Sequence, residues 1–166
     1  MKAARFCGGK DIRLETLVDP QPTPGQALVQ VQATGICGSD LHGCHVRTTG
    51  TRAPRIGGHE TTGQVIAVGK GGAELRAGDR VAIEPTVPCD DCPECLSGNY
   101  NICSRLEHIG SAARGGGFAE YMVAPKDNVY PLPANVSFEA GALAEVYAVA
   151  AHALSRAPNY APLPAR

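Results

Sequence analysis

The sequence lacks a basic run, an apolar segment of bilayer length and a glycine fingerprint for dinucleotides. Fifteen Lys and Arg balance sixteen Asp and Glu, giving a net charge of -1, and nowhere are basic residues dense enough to follow a phosphate backbone. The longest apolar stretch, residues 140–154, contains Glu145 and His152 and falls short of the about 20 residues that span a bilayer. We therefore expect neither nucleic acid nor a membrane as a partner.

The N-terminus also lacks a secretory signal, because residues 1–11 become polar before an apolar signal core could form. We therefore expect a cytoplasmic protein. In that reducing setting the seven cysteines indicate metal ligands or free thiols more than disulfides. With 166 residues, 43% of them hydrophobic, the chain is long enough for one domain with a proper core and too short for two of ordinary size.

A dinucleotide-binding domain would show Gly-x-Gly-x-x-Gly between a strand and a helix. The glycines at 69–72 and at 115–117 do not have that spacing. The sequence therefore predicts no Rossmann-type domain within these 166 residues.

The pattern that is present is mainly β. Short β-type runs predict strands at 27–31, 64–68, 80–83, 119–123 and 129–132. Thirteen prolines and twenty glycines fall mostly between these runs, which is typical of a barrel-like core. One helix is predicted, with Ser137 as its N-cap, Glu139 in its first turn and an Ala-rich segment that ends at about Ser155.

Four closely spaced cysteines form the most informative motif, and they are Cys89, Cys92, Cys95 and Cys103. Four thiolates can converge on one tetrahedral Zn²⁺, and a Cys₄ set with no open position is typical of structural zinc. The alternatives are two disulfides or four reduced thiols in a loop. Intervals of three residues are short for unstrained disulfides, which favours zinc.

A second constellation indicates an open metal site. Cys37 is followed within a few residues by a hydroxyl, a carboxylate and an imidazole, and Gly-His-Glu follows at 58–60. A catalytic zinc needs about three protein ligands and a free position. Cys37 and His59 supply two, and Glu145, set among apolar neighbours, is a candidate third. Spacing alone leaves the alternative open, because a lone Cys and a distant His are more often core and surface residues.

Several motifs together resemble the catalytic domain of zinc-dependent medium-chain alcohol and polyol dehydrogenases. They are Gly-Ile-Cys-Gly-Ser-Asp-Leu-His at 35–42, Gly-His-Glu at 58–60, Ala-Gly-Asp-Arg-Val at 77–81, the four-cysteine segment, Gly-Gly-Phe-Ala-Glu-Tyr at 116–121 and Leu-Ala-Glu at 143–145. The resemblance is closest to 2,3-butanediol dehydrogenases, followed by sorbitol and threonine dehydrogenases.

This resemblance implies a mainly β domain over residues 1–154. The implied fold is a partly open GroES-like barrel with a zinc-binding lobe at about 85–110 and one C-terminal helix. Residues 155–166 would form a tail or a truncated linker toward a nicotinamide domain that this chain does not contain.

The resemblance also implies site roles. Cys37, His59 and Glu145 would ligate the catalytic zinc, with Glu60 as an alternate ligand or a neighbour of the ligands. The four-cysteine segment would hold the structural zinc, so that two zinc ions are expected per chain. Val146 stands with Tyr147 where related sequences usually have Pro-Leu.

Three further side chains would serve the reaction. Asp40 would orient His59 through the ring nitrogen that does not bind metal. Ser39 would accept the proton of the alcohol substrate, and His42 would pass it toward solvent. Cys7 and Cys44 have no counterpart among the motifs.

The implied activity is oxidation of a secondary alcohol or polyol by hydride transfer to NAD or NADP, which a domain outside this chain would bind. The isolated chain is expected to be inactive, and the family suggests a homo-oligomer, either dimer or tetramer. The alternative is a stand-alone, zinc-stabilised GroES-like module without dehydrogenase activity.

Overall fold

The computed structural model describes residues 1–45, 54–71 and 74–157. Most of the predicted tail, from residue 158 onward, lies outside the described residues. Within the described ranges no helix is both long enough and apolar enough to cross a bilayer.

The described elements are mostly short strands. The strands are β1 (Lys2–Gly8), β2 (Asp11–Thr16), β3 (Gln26–Thr34), β4 (Arg55–Ile56), β5 (Thr61–Val68), β6 (Arg80–Ile83), β7 (Thr86–Val87), β8 (Glu107–His108), β9 (Tyr121–Pro125) and β10 (Val129–Pro131). The α-helices are α1 (Gly38–His45), α2 (Pro93–Leu96), α3 (Phe138–Ala142) and α4 (Ala144–Ser155). Two 3-10 turns cover Tyr100–Ile102 and Lys126–Asn128.

The main sheet has five strands in the order β10-β6-β5-β3-β9, and every neighbouring pair is antiparallel. Its inward side chains alternate along the strands and contribute Ala27, Val29, Val65, Val81, Ile83, Met122, Ala124 and Val129 to the core, which also contains Val87 of β7 and Ile109 after β8. This alternation is the feature that a period-2 pattern predicts for a half-buried strand. All five predicted strands are confirmed, with ends that differ by a few residues.

A second sheet has the order β2-β1-β4. It joins the first through an antiparallel bridge between Ala3 and Ala119 and through the N–H of Ala4, which donates to the carbonyl of Phe118 at 2.8 Å. These contacts join β1 to the segment that precedes β9. Sequence analysis did not predict β1 or β2; Ile12 and Leu14 do alternate with polar residues along β2, but both side chains are exposed.

The predicted C-terminal helix is divided into α3 and α4. Ser137 is the N-cap of α3, as predicted, and its Oγ accepts from the N–H of Ala140 at 3.1 Å. The division lies at Leu143, whose N–H bonds back to the carbonyl of Ala140 in a tighter i→i+3 turn. Gly141 packs so closely on Leu132 that a Cβ there would lie 2.6 Å from the leucine. That contact seats α3 on the barrel and sets where α4 begins.

Candidate metal centres

Four cysteine sulfurs converge in the segment that follows β7. All lie within 4.8 Å of one another, and they belong to Cys89, Cys92, Cys95 and Cys103. The Sγ–Sγ distances are 3.4 Å for Cys92–Cys95, 3.4 Å for Cys103–Cys89 and 3.9 Å for Cys89–Cys95. Zn–S bonds of about 2.3 Å in a tetrahedron place sulfurs about 3.8 Å apart, whereas a disulfide requires about 2.05 Å. The geometry fits one shared ion, and none of the four residues is in a disulfide.

Local backbone geometry brings these thiols together. Asp90 adopts a left-handed φ of 62°, which turns the chain sharply between the first two cysteines. Cys92 is the N-cap of α2, with Pro93 at the first helical position, where its missing N–H costs nothing. Cys103 ends the 3-10 turn Tyr100–Ile102. Short-range turns alone are therefore sufficient to assemble this set.

Arg105 supports the sulfurs from outside. Its backbone N–H donates to Cys103 Sγ at 3.3 Å, and its guanidinium donates to Cys89 Sγ at 3.3 Å while contacting Asp91. Burial acts to raise the pKa of Cys103, but hydrogen bonds from the backbone at Cys89 and Arg105, together with those of the Cys89 and Cys95 thiols, lower that pKa to about 7. The pKa of Cys92 is raised, so Cys103 is the more readily deprotonated of these two thiols.

The cysteine lobe is attached to the barrel through Glu84. The hydroxyl of Tyr130 in β10 donates to Glu84 Oε2 at 2.9 Å, and Tyr100 of the lobe is also hydrogen-bonded to Glu84. Burial and this bond to a carboxylate together raise the pKa of Tyr130 to about 12. Nearby, the amide of Asn128 donates to the carbonyls of Glu84 and Thr86 at 3.0 and 2.7 Å. These contacts hold the base of the lobe.

A second group of candidate ligand atoms is separate from the four cysteines. Atoms of Cys37, His59 and Glu60 all lie within 4.8 Å of one another. Cys37 immediately precedes α1, and the other two immediately precede β5. These ligands come from two distant chain segments, so only the tertiary fold brings them together. A sulfur, an imidazole and a carboxylate with no fourth protein ligand in the group are the donor set of an open zinc site.

Asp40 connects the two segments of this site. It is 3% exposed, and its carboxylate accepts from the N–H of Cys37 at 3.1 Å and from the N–H of Gly58 at 3.4 Å. Its Oδ2 lies 3.9 Å from Nδ1 of His59, a distance for charge interaction and longer than a direct hydrogen bond. Nδ1 is thus the ring nitrogen that faces the carboxylate of Asp40. That Asp40 orients His59 for metal binding stays a prediction.

The carboxylate of Glu60 is buried close to Cys37 and to Gly35. It is 7% exposed, and a Cβ at Gly35 would lie 1.9 Å from its Oε2. The backbone is fixed too, because the N–H of Gly35 and the hydroxyl of Thr34 both donate to the carbonyl of Glu60, at 2.8 and 3.2 Å. Only glycine at position 35 leaves room for this carboxylate, which explains why the motif needs Gly there.

Glu145, the predicted third ligand, is not among the three residues whose ligand atoms lie within 4.8 Å of one another. It is half-buried in the first turn of α4. The structure therefore places Glu60, which sequence analysis treated as an alternate, with Cys37 and His59. Ser39 and His42, the residues of the predicted proton path, are both in α1 and both exposed.

His108 in β8 is a site residue that sequence analysis missed. Its ring centroid lies 5.2 Å from that of His59 in an edge-to-face arrangement. Burial lowers its pKa, as does the charge of His59, while a hydrogen bond to Ile109 and the charges of Glu145 and Asp40 act in the opposite direction. His108 therefore lies next to the ligand group. No motif in the sequence marks it, since its position depends on pairing of distant loops.

Comparison with known proteins gives a consistent result. Residues 23–134 match the family described as the alcohol dehydrogenase GroES-like domain. The chain is 37% identical to sorbitol dehydrogenase of Bacillus subtilis (strain 168) over 159 residues, covering 94% of this chain and 45% of that protein. It is 39% identical to (R,R)-butanediol dehydrogenase of the same strain over 166 residues, covering 93% and 46%.

Solved structures agree with these relatives. An alcohol dehydrogenase from Escherichia coli CFT073, solved in complex with NADH, superposes with a TM-score of 0.83 at 35% identity and covers 91% of this chain and 44% of that one. The chain thus spans about half the length of the proteins it matches.

Proposed function

Since this chain belongs to the alcohol dehydrogenase GroES-like domain family, we propose that it is the zinc-binding catalytic domain of an oxidoreductase. The reaction is oxidation of a secondary alcohol or polyol, similar to 2,3-butanediol or sorbitol, with hydride transfer to NAD or NADP. We assign the domain to residues 1–154, with the lobe at about 85–110, and residues 155–166 to a tail or truncated linker toward a cofactor domain.

The convergence of Cys37, His59 and Glu60 within 4.8 Å supports the proposal most directly. A purely structural module needs only the closed cysteine lobe. A mixed set of three ligands with a free position is suited to binding a substrate oxygen. When bound there, zinc would supply Lewis-acid chemistry that lowers the pKa of an alcohol hydroxyl toward neutrality.

Within this chain the remaining steps concern binding and proton transfer. Cys37, His59 and Glu60 would hold the ion, and Asp40 would keep His59 oriented for binding it. Ser39 accepts the hydroxyl proton, and His42, exposed in the same helix, releases it to solvent. Glu145 is proposed as a ligand that exchanges with Glu60.

The cofactor side of the reaction belongs to a further domain. A nicotinamide held there would accept the hydride. Helix α4 buries none of its residues, and its apolar side chains Val146, Tyr147, Val149 and Leu154 are 43–69% exposed. An apolar surface of this kind is typical of an element that packs against more protein.

We propose a cytoplasmic homo-oligomer, either a dimer or a tetramer.

Zinc analysis combined with an activity assay tests the proposal. We expect two zinc equivalents per chain, falling to one in Cys37→Ala, and alcohol-dependent reduction of NAD or NADP by the protein expressed from its full reading frame with sorbitol or 2,3-butanediol. About one equivalent, insensitive to Cys37→Ala, together with no activity, would contradict the proposal and favour a zinc-stabilised module without dehydrogenase activity.

A further inference from the structure

His108 is placed at the open metal centre by close backbone packing. A Cβ at Gly110 would lie 3.2 Å from the carbonyl oxygen of Gly58, so the loop after β8 touches the loop that carries His59. Ile109 between them is fully buried, and its N–H donates to the carbonyl of Pro85 at 2.9 Å. The position of the His108 side chain is therefore fixed by the fold and does not depend on a mobile loop.

One nitrogen of the His108 ring is already occupied. Nδ1 lies 2.8 Å from the carbonyl oxygen of Ile109. A carbonyl can only accept, so Nδ1 carries the hydrogen of this bond. Nε2 is then the one remaining polar atom of the ring, and within the part of the chain that the structure describes no side chain or backbone group is recorded as bonding to it.

His108 is not a member of the ligand group, although it contacts His59. The group with all ligand atoms within 4.8 Å of one another contains Cys37, His59 and Glu60 only, among the described residues. The side chain is half-buried, so part of the ring is accessible. An accessible polar atom that is beside a metal site, but does not belong to the ligand set, is placed to bind a second group of the substrate.

We propose that His108 is a positioning and specificity-determining residue whose Nε2 hydrogen-bonds a hydroxyl next to the carbinol that is oxidised. The inference rests on the proposed function and deepens it, because it selects vicinal diols and polyols over simple secondary alcohols. A hydroxyl both donates and accepts, so it can satisfy Nε2. A monoalcohol would leave Nε2 unpaired next to a buried site, which costs affinity.

The test compares two substrates that differ by one hydroxyl, 2,3-butanediol and 2-butanol, with the zinc-loaded full-length protein. In His108→Leu we expect the ratio of kcat/KM for the diol to that for the monoalcohol to fall about tenfold, the effect of one hydrogen bond. The zinc content should be nearly unchanged, and kcat/KM for 2-butanol should fall less than kcat/KM for the diol. His108→Gln, whose amide can replace Nε2, should retain most of the ratio, and His152→Leu, at an exposed position on α4, should retain all of it.

Three outcomes would overturn the inference. The first is activity in His108→Leu with an unchanged ratio, and the second is loss of one zinc equivalent, which would make His108 a ligand. The third is a ¹⁵N resonance of His108 Nε2 in the zinc-loaded protein that does not shift with 2,3-butanediol. We expect a shift with the diol and a much smaller one with 2-butanol. The NMR readout does not require turnover. Failure of the proposed function would instead appear as no alcohol oxidation by the wild-type protein, so the two failures can be told apart.

Discussion

The cysteine lobe and the open centre assemble their ligands in opposite ways. In the lobe, four identical ligands come from one short segment, and local turns with Arg105 hold them. In the open centre, three different ligands come from two distant segments, and the buried carboxylate of Asp40 connects these segments. The lobe has little apolar core of its own, whereas the open centre is supported by the sheets and by the buried carboxylate of Asp40. Stability should therefore depend on the first site and chemistry on the second.

The largest expected effect comes from breaking the lobe. Cys95→Ser removes one of four zinc ligands from a segment that has little apolar core of its own. We expect loss of one zinc equivalent and a decrease of more than about 4 kcal/mol in the free energy of unfolding, because metal binding here is part of folding. Denaturant unfolding with metal analysis measures both quantities.

The control for this variant is Cys7→Ser, at a thiol outside both clusters. It should keep two zinc equivalents and nearly wild-type stability. A Cys95→Ser protein as stable as Cys7→Ser would show that the lobe does not depend on metal.

Removing a ligand of the open centre should change stability little and abolish activity. In Cys37→Ala one zinc equivalent should be lost while the free energy of unfolding falls by only about 1–2 kcal/mol, since the barrel itself supports the site. Activity of the full-length protein should be abolished. Cys44→Ala, a change at a thiol in α1 outside the ligand group, is the matched control. A stability loss as large as that of Cys95→Ser would remove the distinction between the two sites.

A weaker effect is expected for Asp40→Asn, which alters the support of the open centre without removing a ligand. The amide loses the charge facing His59 and can accept with one oxygen only, so one of the bonds to Cys37 and Gly58 is lost. We expect zinc affinity at this site to fall about 10–100-fold, with the lobe zinc unaffected. Competition with a chromogenic chelator measures the two affinities separately, and Asp127→Asn, at an exposed position, is the control. Equal weakening of both sites would contradict this account.

The smallest effect concerns the contact between lobe and barrel. The pKa of Tyr130 is raised to about 12 by burial and by its bond to Glu84. Since the pKa of a tyrosine in the unfolded chain is about 10, the folded state favours the protonated phenol. The resulting stabilisation is complete below about pH 10 and is lost as the pH rises toward 12. In Tyr130→Phe this alkaline decrease should be smaller.

Unfolding free energies of the wild type and Tyr130→Phe between pH 9 and about 12 provide the measurement. Tyr147→Phe, at an exposed position on α4, should leave the alkaline decrease unchanged. If the wild type and Tyr130→Phe lose stability in parallel, the bond to Glu84 does not contribute.

The difference between the cysteine lobe and the open centre also explains which parts of the fold and of the sites could be predicted from the sequence. The four cysteines were recognisable because local spacing alone determines whether they can converge. The strands of the main sheet were recognisable because their inward residues alternate. The grouping of Glu60, and not Glu145, with Cys37 and His59 was not recognisable from spacing, because it depends on the tertiary arrangement of these distant segments. His108 was invisible for a related reason, since contact between Gly58 and Gly110 places it beside His59.

The central claim is that this chain has one closed and one open metal centre with different ligands. Anomalous diffraction at the zinc absorption edge from crystals of the zinc-loaded protein tests it most directly. We predict two peaks, one surrounded by four sulfurs at about 2.3 Å and one bound by Cys37, His59 and a glutamate, with a free coordination position. A single peak within the cysteine lobe, with Cys37 and His59 well ordered and not bound to metal, would contradict the account.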